Sequence, residues 1–159
     1  MEEVLPPQTE NGAGFELTRI RQFTVFLENR VGRLQTLVRA LEQGEGKIVA
    51  MSIEESADAA LIRIICSRPD ESRDILQLAG FAFSENELLV VELPKKTRQP
   101  LIDICSALLS AEINIHYAYP LLLRPRGPSL ALYVDDPTLA ARLLIKKGFM
   151  LIGESDLKN

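Results

Sequence analysis

Between the run IRQFTVFL, which starts at Ile20, and an apolar stripe that begins at Leu34, the chain carries Glu28-Asn29-Arg30-Val31-Gly32-Arg33. A segment of this kind can hold a small zwitterion. The N-terminus of a helix presents N–H groups without intrahelical partners and the positive end of a dipole, so a carboxylate docks there when no side chain blocks its approach. Gly32 removes that block. Asn29 supplies a carbonyl that accepts from an ammonium and an amide that donates to a carboxylate. The same residues also read as a helix N-cap, Asn29, and a plain turn residue, Gly32, and their types alone leave both readings open.

Other chemistry is poorly supported. The segment PKKTRQPL offers Lys95, Lys96 and Arg98, which could grip an anion but read more simply as a solvated turn. His116 is the single histidine, set in an apolar run where an imidazole is ordinarily packed. No G-x-S-x-G elbow, Cys-His pattern, metal-spaced cluster or glycine-rich phosphate loop accompanies it, so no catalytic residue, metal or cofactor is expected and the chain does not read as an enzyme. The acidic pairs Glu54-Glu55 and Asp135-Asp136 flank turns, where carboxylates cap helices or face water.

The elements that would position these residues follow from periodicity. A strand from Ile20 to about Leu27 leads into a helix with Leu34, Leu37, Val38 and Leu41 on one face, stopped at Gly44 and Gly46. KIVAMSIEES and AALIRIICS then read as a hairpin turning at Ala57 and Asp58. After Pro69, DESRDILQLAG reads as a second helix ending at Gly80, and FAFS as a short last strand. The order is β-α-β-β-α-β.

That order returns at once in ELLVVELP, QPLIDICSALLSAE, INIHYAYPLLL, PSLALYVDD, PTLAARLLIKKG and FMLIG. At an offset of 67 residues, Leu34, Leu37, Leu41 and Ile48 fall on Leu101, Ile104, Leu108 and Ile115. Both second helices start after a proline beside Asp (Pro69, Pro137) and end at Gly-Phe (Gly80-Phe81, Gly148-Phe149). The expected fold is therefore α+β: two tandem ferredoxin-like modules, each an antiparallel sheet with its helices on one face. Residues 1–18 read as a flexible tail, 19–86 as the first module and 87–159 as the second. In KIVAMSI and INIHYAY neither alternation is cleanly polar; one set of the latter is Ile115, Tyr117 and Tyr119. Such strands predict module-on-module or subunit contact, and a homodimer is expected.

The doubled order over residues 20–153 and the segment Asn29-Arg30-Val31-Gly32-Arg33-Leu34 resemble ACT domains, the regulatory modules of amino-acid metabolism. Their loop pattern is Asn or Asp, any residue, Pro, Gly, any residue, Leu; Val31 replaces the proline here. The resemblance implies a regulatory, non-catalytic protein that binds an amino-acid effector at a module interface, through Asn29, Val31, Gly32, Arg33 and Leu34. An Asn-Ile opening of the second strand completes such sites, and here it is Asn114-Ile115 in the second repeat, where the first has Lys47. His116, Tyr117 or Tyr119 could join a composite site. Serine-sensing relatives carry His before the loop where this chain has Leu27, so the resemblance does not point to serine. It also implies an alternative: an accessory subunit docked on an amino-acid biosynthetic enzyme, in the manner of the small subunit of acetolactate synthase.

Bulk composition frames these readings. The chain has 159 residues, 47% hydrophobic, enough for one substantial core or two small ones. A formal charge of −4 gives no general attraction to phosphate backbones, so nucleic acid is not an expected partner. No apolar run is long enough to span a bilayer, and the acidic start is unlike a secretory signal, so a cytoplasmic protein without membrane contact is expected. Cys66 and Cys105 both lie in apolar runs and read as buried thiols.

Overall fold

A computed structural model describes residues 19–123 and 126–158; the expected N-terminal tail lies outside them. The elements are β1 (Arg19–Glu28), α1 (Arg33–Glu42), β2 (Ile48–Glu55), β3 (Ala59–Cys66), α2 (Pro69–Leu78), β4 (Ala82–Glu92), α3 (Pro100–Leu109), β5 (Ile115–Pro120), β6 (Ser129–Val134), α4 (Pro137–Lys146) and β7 (Leu151–Ile152), then a 3-10 turn at Glu154–Leu157. Proline opens three of the four helices among the described residues, at the position where its missing N–H costs nothing. Asp136 caps α4 by accepting from the Leu139 N–H at 3.0 Å. Gly80 and Gly148 end α2 and α4 with positive φ, and the Phe81 and Phe149 N–H groups reach back to the Leu76 and Leu144 carbonyls.

FAFS and ELLVVELP, read separately in the sequence, form the single strand β4. Nothing in Ser84-Glu85-Asn86-Glu87 breaks a strand, since no glycine or proline lies among them. Ala82 through Leu89 pair antiparallel with β1, and Leu89 through Glu92 pair with β6. On the edge where β1 ends, β7 takes over, opposite Val90 and Val91. All strands among the described residues consequently join one sheet in the order β2-β3-β1-β4-β6-β5, with β7 beside β4. The sheet curls until the chain after β5 meets β2: the Leu122 and Leu123 N–H groups both donate to the Val49 carbonyl, at 2.7 and 3.2 Å.

The curl separates three cores. On the helix side, Phe23, Val25, Leu27, Leu37, Ile62, Ile64 and Leu76 pack in the first module. Leu89, Val91, Ile104, Leu108, Leu132 and Leu144 do so in the second. The helix-free faces bury one another through Ile20, Val49, Ala50, Ile65, Leu88, Val90, Tyr119 and Ala131, joined by Leu157 of the terminal turn. Each fully buried aliphatic side chain contributes about 1.5–3 kcal/mol, so the three clusters together hold the curl closed. The apolar second faces seen in the sequence are covered by the other module of the same chain.

Two β-bulges account for the imperfect alternation. A register shift at Val49 puts both Val49 and Ala50 in the shared core. Another at His116 separates Ile115, which packs on the helix side, from Tyr117 and Tyr119, which face the shared core. The expected common face of those three residues is thereby corrected. None of the helices among the described residues is long and apolar enough to cross a membrane.

Cys105 is exposed, contrary to its apolar surroundings. Ile104, Ala107 and Leu108 already fill the buried face of α3, and the 100° step per residue carries position 105 outward. Cys66 is buried as expected, and burial pushes its thiol up to about 11, partly opposed by a hydrogen bond with Ser72. The folded state thus favours the protonated thiol. That contribution is fully present below the ordinary value of 9.0 and is lost as pH rises through about 11. Urea unfolding should show about 3 kcal/mol of Cys66-dependent stability disappearing across this interval, and Cys66→Ala should remove that part of the alkaline slope. A thiol reagent should label Cys105 at once and Cys66 only on unfolding; equal labelling rates in the native protein would contradict the assignment.

Candidate functional site

β1 ends at Glu28 and α1 starts at Arg33, so the intervening loop stands at the edge of the first module. Gly32, not Asn29, is the N-cap residue, with φ of 87° and no side chain capping the helix. A left-handed backbone at this point favours glycine, and a Cβ built there would meet nothing within 4 Å. The space in front of the helix is open. The Gly32 carbonyl accepts from the Thr36 N–H and hydroxyl, and the first turn of α1 holds no acidic residue. Its positive end therefore meets no carboxylate of its own.

Asn29 is held by the β2–β3 turn. Its Nδ2 donates to Glu55 Oε1 at 2.9 Å and, less closely, to the Ser56 and Ala57 carbonyls, while its N–H reaches the Asp58 carbonyl. Among the described residues nothing donates to its Oδ1. Val31 is fully exposed, and Leu34 packs on the first-module core. The Arg33 guanidinium lies 5.6 Å from the centre of the Phe81 ring, and its Nε is a buried polar atom without a partner. The loop thus combines open helix N–H groups, a guanidinium with an unused donor and, across Asn29, the Glu55 carboxylate. These groups complement the two ends of a zwitterion. Glu55 was passed over in the sequence as a turn residue, and only the pairing of β3 with both β1 and β2 brings it to Asn29. The repeated Gly-Phe pair was the one trace of Phe81.

The second half of the expected site is bonded within its own module. Asn114 is exposed; its N–H donates to Asp135 Oδ2 at 3.1 Å and its carbonyl accepts from the Asp135 N–H. Ile115 packs into the second-module core. Among the described residues no hydrogen bond joins Asn29 to Asn114. His116 is exposed and pairs with Asp135. Lys95 and Lys96 border a cleft of about 340 Å³ walled by Phe149 and Met150. No group of three His, Cys, Asp or Glu that could hold a metal ion occurs among the described residues.

Two polar assemblies fasten the modules together. Gln22, fully buried on β1, donates to Tyr117 at 2.6 Å and to Asn86 at 3.1 Å and accepts from the Tyr119 hydroxyl. Burial raises the Tyr119 hydroxyl well above its ordinary value, so it remains a donor. Arg63 lies 4.0 Å above the Tyr117 ring. On the rim, Arg21 grips Glu154 of the terminal turn with Nε and Nη2, at 2.9 and 3.1 Å, and reaches Asp70 at 2.7 Å. The Arg21 guanidinium holds the Asp70 carboxyl below its usual range. A cleft of about 530 Å³ opens here, but Arg19, Arg21 and Arg73 are each paired, with Glu87, Glu154 and Glu85, so its cations are already satisfied.

A family model described as an ACT domain pair matches residues 18–159. Protein BT0572 from Bacteroides thetaiotaomicron superposes with a TM-score of 0.81 at 24% identity, over 89% of this chain and 97% of that one. The ligand-free regulatory subunit of aspartate kinase from Thermus thermophilus gives 0.56 at 10% identity, over 82% and 92%. A dimethyladenosine transferase from Candida glabrata is 26% identical over 130 residues, 82% of this chain. The chain spans only 37% of the length of that relative.

The buried network makes a checkable demand. Tyr119→Phe leaves Gln22 Oε1 without a partner in the shared core, which should cost about 1–3 kcal/mol in urea unfolding. Pairing it with Gln22→Leu should cost less than the two single changes summed, because the groups share one network. Wild-type stability in Tyr119→Phe would show that the hydrogen bond does not fasten the modules.

Proposed function

Because the chain belongs to the family of ACT domain pairs, we propose that it is a regulatory protein whose amino-acid effector binds at the loop between β1 and α1. The observation that carries this reading is the uncapped start of α1 at the left-handed Gly32, beside the unpaired Nε of Arg33. The effector carboxylate docks on the first N–H groups of α1 and on Arg33. Its ammonium meets Asn29 Oδ1 and the Glu55 carboxylate, and its side chain lies against Val31 and Leu34. Asn114 and Ile115 supply the second half of the interface. The fold shared with the aspartate kinase regulatory subunit supports a regulatory role. The protein acts in the cytoplasm as a homodimer and performs no turnover itself. Effector binding stabilises one shape or assembly, and that preference is passed to a partner enzyme of amino-acid metabolism.

A thermal-shift screen against the twenty amino acids tests this directly. A true effector at a hundredfold excess over its Kd stabilises the folded state by about 2.7 kcal/mol, which for a chain of this size raises Tm by roughly 5–10 °C. Asn29→Ala and Arg33→Gln, with unchanged circular dichroism, should each abolish the shift. A full response in both variants would remove the effector from this loop. Silence of the wild-type chain across the whole panel, with copurification of a catalytic subunit, would replace effector sensing by the accessory-subunit role.

A further inference from the structure

Helix α3 is apolar on both faces. Ile104, Ala107 and Leu108 face the core, while Leu101, Ile102 and Leu109 stand 52, 57 and 74% exposed and Cys105 lies exposed among them. Residues 101, 105 and 109 recur at a spacing of four and line one stripe. The repeat contains its own control. At the equivalent places on α1, 67 residues earlier, Gln35 and Glu42 are polar where α3 has Ile102 and Leu109, and Leu34 and Val38 pack on the first-module core where Leu101 and Cys105 stand exposed. The same fold position thus exposes polar side chains in one module and apolar ones in the other.

We propose that this stripe is covered by the α3 of a second copy, crossing it antiparallel about a two-fold axis at Cys105. The inference rests on the reading that the chain is a homodimer, and names the face. Two features select a second copy over an unlike partner. The stripe is symmetric about Cys105, so an antiparallel copy places Leu109 on the partner's Leu101 and Ile102, as a self-complementary interface requires. Its flanking charges are complementary under the same operation: Arg98 and Glu112, both exposed, stand seven residues before and after Cys105. Each Arg98 then faces the partner's Glu112 at both ends of the contact. Antiparallel helix dipoles add to this pairing. Away from the stripe, a net charge of −4 disfavours association of like copies.

The test is sedimentation of the full chain at micromolar concentration under reducing conditions. Wild type should run as a dimer, and Ile102→Glu with Leu109→Glu as a monomer with unchanged circular dichroism, since both side chains are exposed. Arg98→Glu and Glu112→Arg alone should each raise the dimer Kd roughly five- to tenfold, and the doubly reversed chain should recover most of that loss. Oxidation of the reduced dimer with a copper-phenanthroline catalyst should link two chains in wild type and Cys66→Ala but not in Cys105→Ser. A monomeric wild type overturns both the homodimer reading and this face, leaving the stripe to another occupant. A dimer that survives Ile102→Glu with Leu109→Glu overturns the face alone.

Discussion

Strand β4 is hydrogen-bonded along both edges by partners from both repeats, and the remaining architecture depends on that continuity. Its odd-numbered residues Phe83, Leu89 and Val91 pack beneath helices, first those of one module and then those of the other. Its even-numbered Leu88 and Val90 face the shared core. Side chains alternate with a period of two, so a slip of one residue would turn every one of these to the wrong face. A single strand therefore fixes the register of the second module relative to the first. The modules cannot tilt about a linker, because no linker separates them.

The shared core then needs polar specificity as well as apolar burial. Hydrophobic contact between two sheet faces tolerates sliding, whereas a fully buried amide does not, since each displaced hydrogen bond leaves a desolvated group. Gln22 binds groups from the middle strand and from β5 at once, through Asn86, Tyr117 and Tyr119. The Arg21–Glu154 pair does the same at the rim, with the terminal turn as its far anchor. A change of shape at the proposed effector loop would thereby be transmitted across the whole chain instead of being absorbed between modules.

Much of this was legible in the sequence because it rests on local signals. The Pro69 and Pro137 starts and the Gly80 and Gly148 stops act through fixed φ and missing side chains, and all four stand where expected. The 67-residue repeat carried the fold because Leu37, Leu41 and Ile48 face the first core as Ile104, Leu108 and Ile115 face the second. What stayed hidden depends on partners distant in the chain. The bulges at Val49 and His116 appear only once a neighbouring strand sets the register. Asn29 looked like a helix cap because its type suits one, yet its amide bonds Glu55 and the N-cap stands three residues later, at Gly32. Cys105 looked buried because a largely apolar helix gives little sequence sign of which face turns outward.

Duplication frees the second copy of each feature to change, and here the changes are reciprocal. The first module keeps Gly32 before α1 and clothes the outer face of that helix with Gln35, Arg39 and Glu42. The second loses the glycine, places Lys95, Lys96 and Arg98 in its longer loop and leaves the outer face of α3 apolar. An open helix start suits a small ligand because it exposes N–H groups, while an apolar stripe suits a macromolecular surface because it gains by excluding water. The two requirements conflict on one helix, since a surface packed over the first turn would block the ligand's approach. Assigning the proposed effector loop to one module and the proposed pairing face to the other removes that conflict. The unbroken β4 keeps the two in fixed relation, which is what coupling between them requires.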